Sequence, residues 1–401
     1  MTGYTGSTAS GEAIYWQDNK RWLWILSVLY PLQPFIGIAL HASTGQEAWL
    51  FLPLFLNYVI APVADILFGA DPNNPPEEIV PQLDQDRFYR YLTYAIVPLH
   101  FVALFGIAAY VGTQPLSPGA ILGLAVIAGL TSGLAINSAH ELGHKNTRIE
   151  KWLAKLALAV PAYGHFTIEH NRGHHRDVST PDDPASARLG ESYYRFVLRE
   201  LPGGIRRAWN MEAERLTNRG KSPWHYDNQI LQSHAVAVLI VASLVIAFGW
   251  IMLPFMLIHN LLAWLQLSSA NYIEHYGLLR LRDENGKLER CAPHHSWNCN
   301  RLLSNLALFH LERHSDHHAY PLRRYQSLRH YEDVPQLPTG YFGCYLLAYI
   351  PPLWFKVMDE RVLALPHVNG DLDKTNICPK ARARLFLKYG ASAMREPQLA
   401  P

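Results

Sequence analysis

The chain has 401 residues, of which 49% are hydrophobic and only 17% charged, with a formal net charge of +2. Soluble domains carry roughly 25% charged residues, so the composition argues against a soluble protein. With little net positive charge and no base-stacking motif or finger spacing, nucleic acid is not an expected partner.

The stretch before Trp22 is polar, carries Lys20 and Arg21, and has no short apolar run ahead of a cleavage site. No removable signal peptide is expected there. Apolar residues then come in blocks, giving six candidate spans at about 22–41, 46–68, 91–112, 118–139, 229–248 and 250–272. Each has the roughly 20 residues that cross a bilayer core. Pro31 and Pro34 should kink the first. Residues 71–86, rich in Pro, Asp and Glu, read as a loop, and 152–164 as an interfacial or re-entrant helix too short to span. The connections 42–45 and 113–117 and the turn near Gly249 hold no Lys or Arg. Nearly all basic residues outside the N-terminus lie in 69–90, 140–228 and 273–401, which places these segments and both termini in the cytoplasm.

The expected fold is an all-α integral membrane protein: a six-helix transmembrane bundle with a helical cytoplasmic cap. Residues 1–21 form an N-terminal cytoplasmic segment. The bundle covers 22–272 with a cytoplasmic insertion at 140–228, followed by a cytoplasmic region at 273–390 and a disordered tail at 391–401. The basic residues are local. Arg206, Arg207, Arg323, Arg324 and Arg329 read either as positive-inside anchors or as a docking face for an acidic protein. Cys291, Cys299, Cys344 and Cys378 form no C-x-x-C pair, so a zinc ribbon or an iron–sulfur site is unsupported.

Three histidine clusters fall on the cytoplasmic side: His140/His144, His170/His174/His175 and His314/His317/His318. On an α-helix, i, i+4 residues diverge by roughly 40°, so His140/His144, His170/His174 and His314/His318 should each point to one side. Eight imidazoles are too many for one six-coordinate ion, which favours a two-metal centre; imidazole itself accepts Fe, Zn, Cu or Ni. His140-Glu141-Leu142-Gly143-His144 also satisfies the H-E-x-x-H zinc protease signature, but that reading leaves the other clusters unexplained. A metal transporter should carry its ligands midway along the spans, where only His100, His234 and His259 are scattered.

The full set resembles the integral-membrane alkane 1-monooxygenase family of the membrane desaturase and hydroxylase superfamily. The matching strings are Asn137-Ser-Ala-His-Glu-Leu-Gly-His-Lys145, Glu169-His-Asn-Arg-Gly-His-His175, Asn271-Tyr-Ile-Glu-His-Tyr-Gly277 and Leu311-Glu-Arg-His-Ser-Asp-His-His-Ala319, with Asn73-Asn-Pro-Pro-Glu-Glu78. The histidine boxes alone define only the superfamily, leaving fatty-acyl desaturase and xylene-type hydroxylase as alternatives. The Tyr-x-Glu-His-Tyr-Gly string and the Arg-His-Ser-Asp-His-His box narrow it. Glu312 departs from the pattern, where glutamine is expected. The resemblance implies two iron ions held by His140, His144, His170, His174, His175, His275, His314, His317 and His318. On the residues alone His275 is a single histidine after the last span, and only the motif makes it a ligand. His165, His294, His295 and His310 are not expected to be ligands, with His310 the nearest candidate. Asn137, Glu141, Glu169, Asp182, Asp183, Glu274 and Asp316 are candidates to accept the far N–H of a ligating imidazole. The resemblance further implies hydroxylation of the terminal methyl of n-alkanes drawn from the lipid, using O₂ and electrons from rubredoxin with rubredoxin reductase and NADH upstream, in a bacterial inner membrane.

Overall fold

A computed structural model describes residues 3–390. The chain begins with an antiparallel hairpin, β1 (Gly3–Ser7) and β2 (Ala13–Gln17), in the register Gly3 opposite Gln17. Everything after it is helical or irregular. The tail expected to be disordered, 391–401, lies outside the described residues.

The first apolar block folds as two helices, α1 (Arg21–Leu32) and α2 (Pro34–Thr44), bent by 55° at Gln33. Pro34 lacks the N–H that a continuous helix would need, and its ring displaces the preceding turn. Helices α3 (Glu47–Phe68), α4 (Arg87–Thr113), α5 (Pro118–Gly143) and α9 (Gln229–Phe248) are each long and apolar enough to cross a membrane, and the bent pair makes a fifth candidate. The chain is thus a multi-pass membrane protein with four or five strongly apolar spans rather than the six expected. The block expected at 250–272 does form a helix, α10 (Met252–His275), of 24 residues. Its polar residues His259, Asn260, Gln266, Ser268, Ser269 and Asn271 dilute its apolar character.

Helix starts follow local chemistry. Asp86 accepts from the Phe88 amide at 2.8 Å to begin α4, and Ser117 accepts from the Ala120 amide at 3.2 Å to begin α5, with Pro118 at the first helical position. Asn228 accepts from the Ile230 and Leu231 amides to begin α9. Gly249 ends α9 with φ 83°, a left-handed turn that suits glycine and lets α10 return beside it. Between α5 and α10 the backbones approach closely. A Cβ on Gly129 would lie 2.5 Å from the His259 carbonyl oxygen, so only glycine permits this spacing. That contact aligns the ends of both helices, where His140 and His275 sit.

Helix α6 (Arg148–Ala159) buries Ala154, Ala157 and Leu158 and exposes Ile149 and Trp152. Helices α7 (166–177) and α8 (Tyr193–Thr217) follow. Beyond α10 come α11 (His314–Ala319), α12 (Tyr341–Ala348) and α13 (Pro351–Leu363). Their core is continuous with α8 and α10: Phe196, Tyr272, Tyr276, Trp297, Tyr341 and Trp354 pack as one buried cluster. The layer packs around the end of α10 that carries His275, where the Tyr341 hydroxyl donates to Glu274.

Candidate metal centre

All nine histidines implied by the motifs converge, in two groups. His140, His144, His170, His175 and His317 form one, and His174, His275, His314 and His318 the other; within each group the ring nitrogens lie within 4.8 Å of one another. Their spacing is informative. His140 Nε2 is 3.0 Å from His317 Nε2, and His175 Nε2 is 3.0 Å from His170 Nε2 and 3.1 Å from His317 Nε2. In the second group His314 Nε2 is 3.1 Å from His275 Nε2 and 3.0 Å from His318 Nε2. Imidazole nitrogens bound at about 2.1 Å and at right angles to one another stand about 3.0 Å apart.

The division of the histidines corrects the helical pairing expected from sequence. His170–His174 is a π-turn, so His170 lines up with His175, five residues on, and His174 turns to the other group. His314 and His318 stay together on α11 while His317 faces the first group. A π-turn widens the helix by one residue per turn and is frequent at functional sites.

The donor set fits metal. His144 Nε2 and His174 Nε2 are buried without a protein hydrogen-bond partner. An orphaned buried nitrogen costs about 1–3 kcal/mol unless something binds it. Burial, reinforced by the neighbouring imidazoles, pushes His170, His314, His317 and His318 well below the ordinary histidine range, which keeps them in the neutral form that ligates. His174 differs. Burial is outweighed there by the Asp183 carboxylate, 2.9 Å from Nδ1, which raises its basicity and turns Nε2 inward. Asp183 is itself held low against burial by His174 and Arg207. His275 Nδ1 is similarly fixed, donating to the His295 carbonyl at 3.1 Å.

The model for the family described as fatty acid desaturase matches residues 116–345, more than half the chain. Over 95% of its length the chain is 51% identical to alkane 1-monooxygenase 1 of Alcanivorax borkumensis, covering 94% of that protein. The chain belongs to the alkane 1-monooxygenase family. It is also 52% identical to the alkane 1-monooxygenase of Ectopseudomonas oleovorans, over 94% of this chain and 93% of that one. The hydroxylase component of a Pseudomonas putida xylene/toluene monooxygenase is more distant, 30% identical over 63% of this chain and 66% of its own length.

An alkane 1-monooxygenase must also orient its histidines, and the acids singled out by sequence divide on this point. Asp183 meets His174 at Nδ1, the nitrogen turned away from its group, whereas Glu274 Oε2 lies 3.3 Å from His314 Nε2, the nitrogen that faces His275 and His318, while accepting from the Tyr341 hydroxyl. Glu169 accepts from Arg207, and Asp316 from Arg323, the Arg329 amide and the Tyr331 hydroxyl. Glu141 pairs with Lys145 at 3.2 Å, Asn137 donates to the Leu308 carbonyl, and Asp182 is exposed. None of these five makes a hydrogen bond or ion pair with a histidine of the two groups.

Four of the five arginines read as a docking face are engaged within the chain. Arg207 pairs with Glu169, Asp177 and Asp183; Arg323 with Asp316 and Glu77; Arg324 with Glu150; Arg329 with Glu77. Arg323 and Arg324 are buried, and of these five only Arg206 is exposed, with no ion-pair partner among the described residues. Basic clustering along the sequence gave no sign of the acids that fold against it. His310 joins neither metal group. It lies in a buried network with Lys20, Asp71 and Arg313, its Nδ1 2.6 Å from the Tyr325 carbonyl and its φ at +56°.

No sequence motif marks the residues that line the space near the histidine groups. A narrow cavity of about 40 Å³ is lined by Leu130, Leu134, Leu267, Ala270, Leu311 and Phe342, among others. Asn137 and Leu311, three residues before His140 and His314, also line it. Tyr30, Asn57 and Phe342 are shared with a wider apolar groove of about 280 Å³ whose outer rim includes the exposed Leu26, Ile36 and Ile60.

Proposed function

We propose that this chain is a non-haem diiron monooxygenase that converts the terminal methyl of n-alkanes to a primary alcohol. The carrying observation is the pair of all-histidine groups, with a small, mostly apolar cavity lined by Asn137 and Leu311, each three residues along the chain from a histidine of those groups. In this reading His140, His144, His170, His175 and His317 hold one iron, and His174, His275, His314 and His318 the other. Two iron ions would supply the dioxygen activation that attack on an unactivated C–H bond requires and no side chain provides. Per alkane the reaction consumes one O₂, two electrons and two protons and releases one water.

The chain's own residues bind and orient. The outer groove admits an alkane sideways from the bilayer, and the cavity lined by Leu130, Leu134 and Leu267 receives one end of it. A cavity this narrow excludes a folded chain, so the terminal carbon leads. Asp183 and the His295 carbonyl fix the rings of His174 and His275. The layer around Trp297 and Trp354 keeps water from above.

Electrons would come from rubredoxin, reduced by its NADH-dependent reductase, since the four cysteines are free and no C-x-x-C pair is present. Arg206 remains the docking candidate with an exposed charge. Helix α10 serves as a sixth span: at 1.5 Å per residue its 24 residues reach about 36 Å, beyond the roughly 30 Å of a bilayer core. Residues 22–272 then hold the membrane region, and 140–228 with 273–390 form the cap on the cytoplasmic side of a bacterial inner membrane.

The test is iron analysis of the purified protein together with product analysis from a series of n-alkanes supplied with rubredoxin, reductase and NADH. About two irons per chain and 1-alkanols as the products are expected. Zinc in place of iron, or products lacking a terminal hydroxyl, would refute the assignment.

A further inference from the structure

A column of oxidisable rings leads from the second histidine group to the surface. Tyr276 follows His275 directly, at the end of α10. Its ring centroid lies 5.5 Å from that of Tyr272, which lies 5.8 Å from Tyr193, and Tyr193 lies 5.6 Å from Tyr194. Trp354 of α13 bridges the first step, 5.4 Å from Tyr276 and 5.3 Å from Tyr272. Tyr276, Tyr272, Trp354 and Tyr193 are buried, whereas Tyr194, in the first turn of α8, is 55% exposed.

Packing alone does not call for this composition. Phenylalanine fills nearly the same space, and a buried phenol must find a partner for its hydroxyl or leave it unsatisfied at a cost. Each buried phenol of the column has one. Tyr276 donates to Asp359 Oδ1 at 2.7 Å, Tyr272 to the Glu191 carbonyl at 2.7 Å, and Tyr193 to the Leu265 carbonyl at 2.8 Å. Tyrosine and tryptophan differ from phenylalanine in giving up an electron far more readily. A phenol that does so also releases its proton, and the buried Asp359 carboxylate stands within reach to take it. Rings at these separations are in near contact, so electrons pass between them much faster than an enzyme turns over.

We propose that this column protects the chain when O₂ is activated without alkane in place: electrons pass inward from Tyr194 to the metal centre, and a soluble thiol restores Tyr194. The inference rests on the monooxygenase reading. Tyr276 gives an electron to the oxidised centre and its proton to Asp359, then regains the electron from Tyr272 and the proton from Asp359. Repetition moves the radical outward to Tyr194, where a thiol donates a hydrogen atom. Two such transfers leave two thiyl radicals, which join as a disulfide. Per O₂, the enzyme's donor supplies two electrons and two protons as in turnover, and two thiols supply two more of each; two waters and one disulfide leave. With 140–228 in the cytoplasmic cap, Tyr194 is open to such a thiol.

Iron-loaded full-length protein is supplied with rubredoxin, reductase, NADH and O₂, with glutathione present and alkane withheld. Catalase and superoxide dismutase remove oxidants released to solution. Wild type should form glutathione disulfide in step with NADH consumed, and freeze-quenched samples should show a tyrosyl radical by electron paramagnetic resonance. Tyr193→Phe keeps the ring but breaks the route. It should lose most of the disulfide formation and accumulate oxidised Tyr272, Tyr276 and His275 in peptide mass spectra. Tyr194→Phe, at the exposed end where folding is not at risk, should lose disulfide formation as well. Tyr226→Phe, exposed but off the route, should match wild type. Unfolding temperatures check that the variants fold, and with alkane present all should form 1-alkanol as wild type does. Disulfide formation and peptide oxidation unchanged in both Tyr193→Phe and Tyr194→Phe would overturn the proposal. Alkanol formation by wild type with no disulfide in the absence of alkane would refute the column alone, whereas no alkanol would refute the monooxygenase reading and the column with it.

Discussion

Replacing Asp183 with Asn tests whether the carboxylate beside His174 tunes metal binding. Asp183 is fully buried; its Oδ2 accepts from His174 Nδ1 at 2.9 Å and Ser186 Oγ at 2.6 Å, and its Oδ1 from Arg207 at 2.8 Å. Asparagine preserves the volume and can still accept from His174, but it removes the negative charge that raises the basicity of this imidazole. It also offers an amide N–H₂ where Ser186 or Arg207 now donates. Loss of such a partner typically lowers metal affinity or activity about 10–100-fold, or about 1.4–2.7 kcal/mol. Asp182, adjacent in sequence but exposed, is the control; surface changes of this kind usually stay within about 0.5 kcal/mol. Iron content after dialysis against a graded chelator series is the assay, with unfolding temperatures measured on iron-free protein. Asp183→Asn should release iron at about 10–100-fold lower chelator strength, and Asp182→Asn should match wild type. Equal iron retention in Asp183→Asn and wild type would refute the reasoning.

Asp71 compensates Lys20 and Arg313 in a buried site, so Asp71→Asn should destabilise the protein by about 3–5 kcal/mol in thermal unfolding. His310→Ala should likewise lower the unfolding temperature yet keep iron per folded chain, whereas His317→Ala, from within a metal group, should lose iron. Burial holds His165 and His295 down to about 3, against an ordinary 6.5. The unfolded chain therefore takes up protons that the folded chain refuses, and iron-free protein should lose stability as pH falls below 6.5 towards 3. A flat unfolding temperature between pH 6.5 and 5, above the range of ordinary carboxylates, would contradict this. Leu134→Phe adds bulk to the cavity wall and should shift the preferred n-alkane to shorter chains, read from alcohol yields across a chain-length series.

The strongly apolar spans and the histidine motifs were legible in the linear chain. Hydropathy over about 20 residues and ligand spacing within a box are local properties that need no partner to be recognised. Even the kink in the first span follows from Pro34 alone. Periodicity stops short of side-chain direction wherever the helix is not α. Sequence spacing pairs His170 with His174, and the π-turn between them sends the two rings to different groups. The N-terminal hairpin, set by pairing between Gly3–Ser7 and Ala13–Gln17, leaves no strong apolar alternation to read. Charge is the clearest case of a property that folding reassigns. Arg323 and Arg324 look like a surface patch in the chain, but Asp316, Glu77 and Glu150 arrive from 7, 246 and 174 residues away to neutralise them. Lys20 and Arg313 meet over Asp71 in the same way, 51 and 242 residues distant along the chain. Backbone propensity and hydropathy act between neighbours in sequence, whereas ion pairing, cavity shape and the gathering of nine histidines into two groups depend on which distant segments the packed helices bring together.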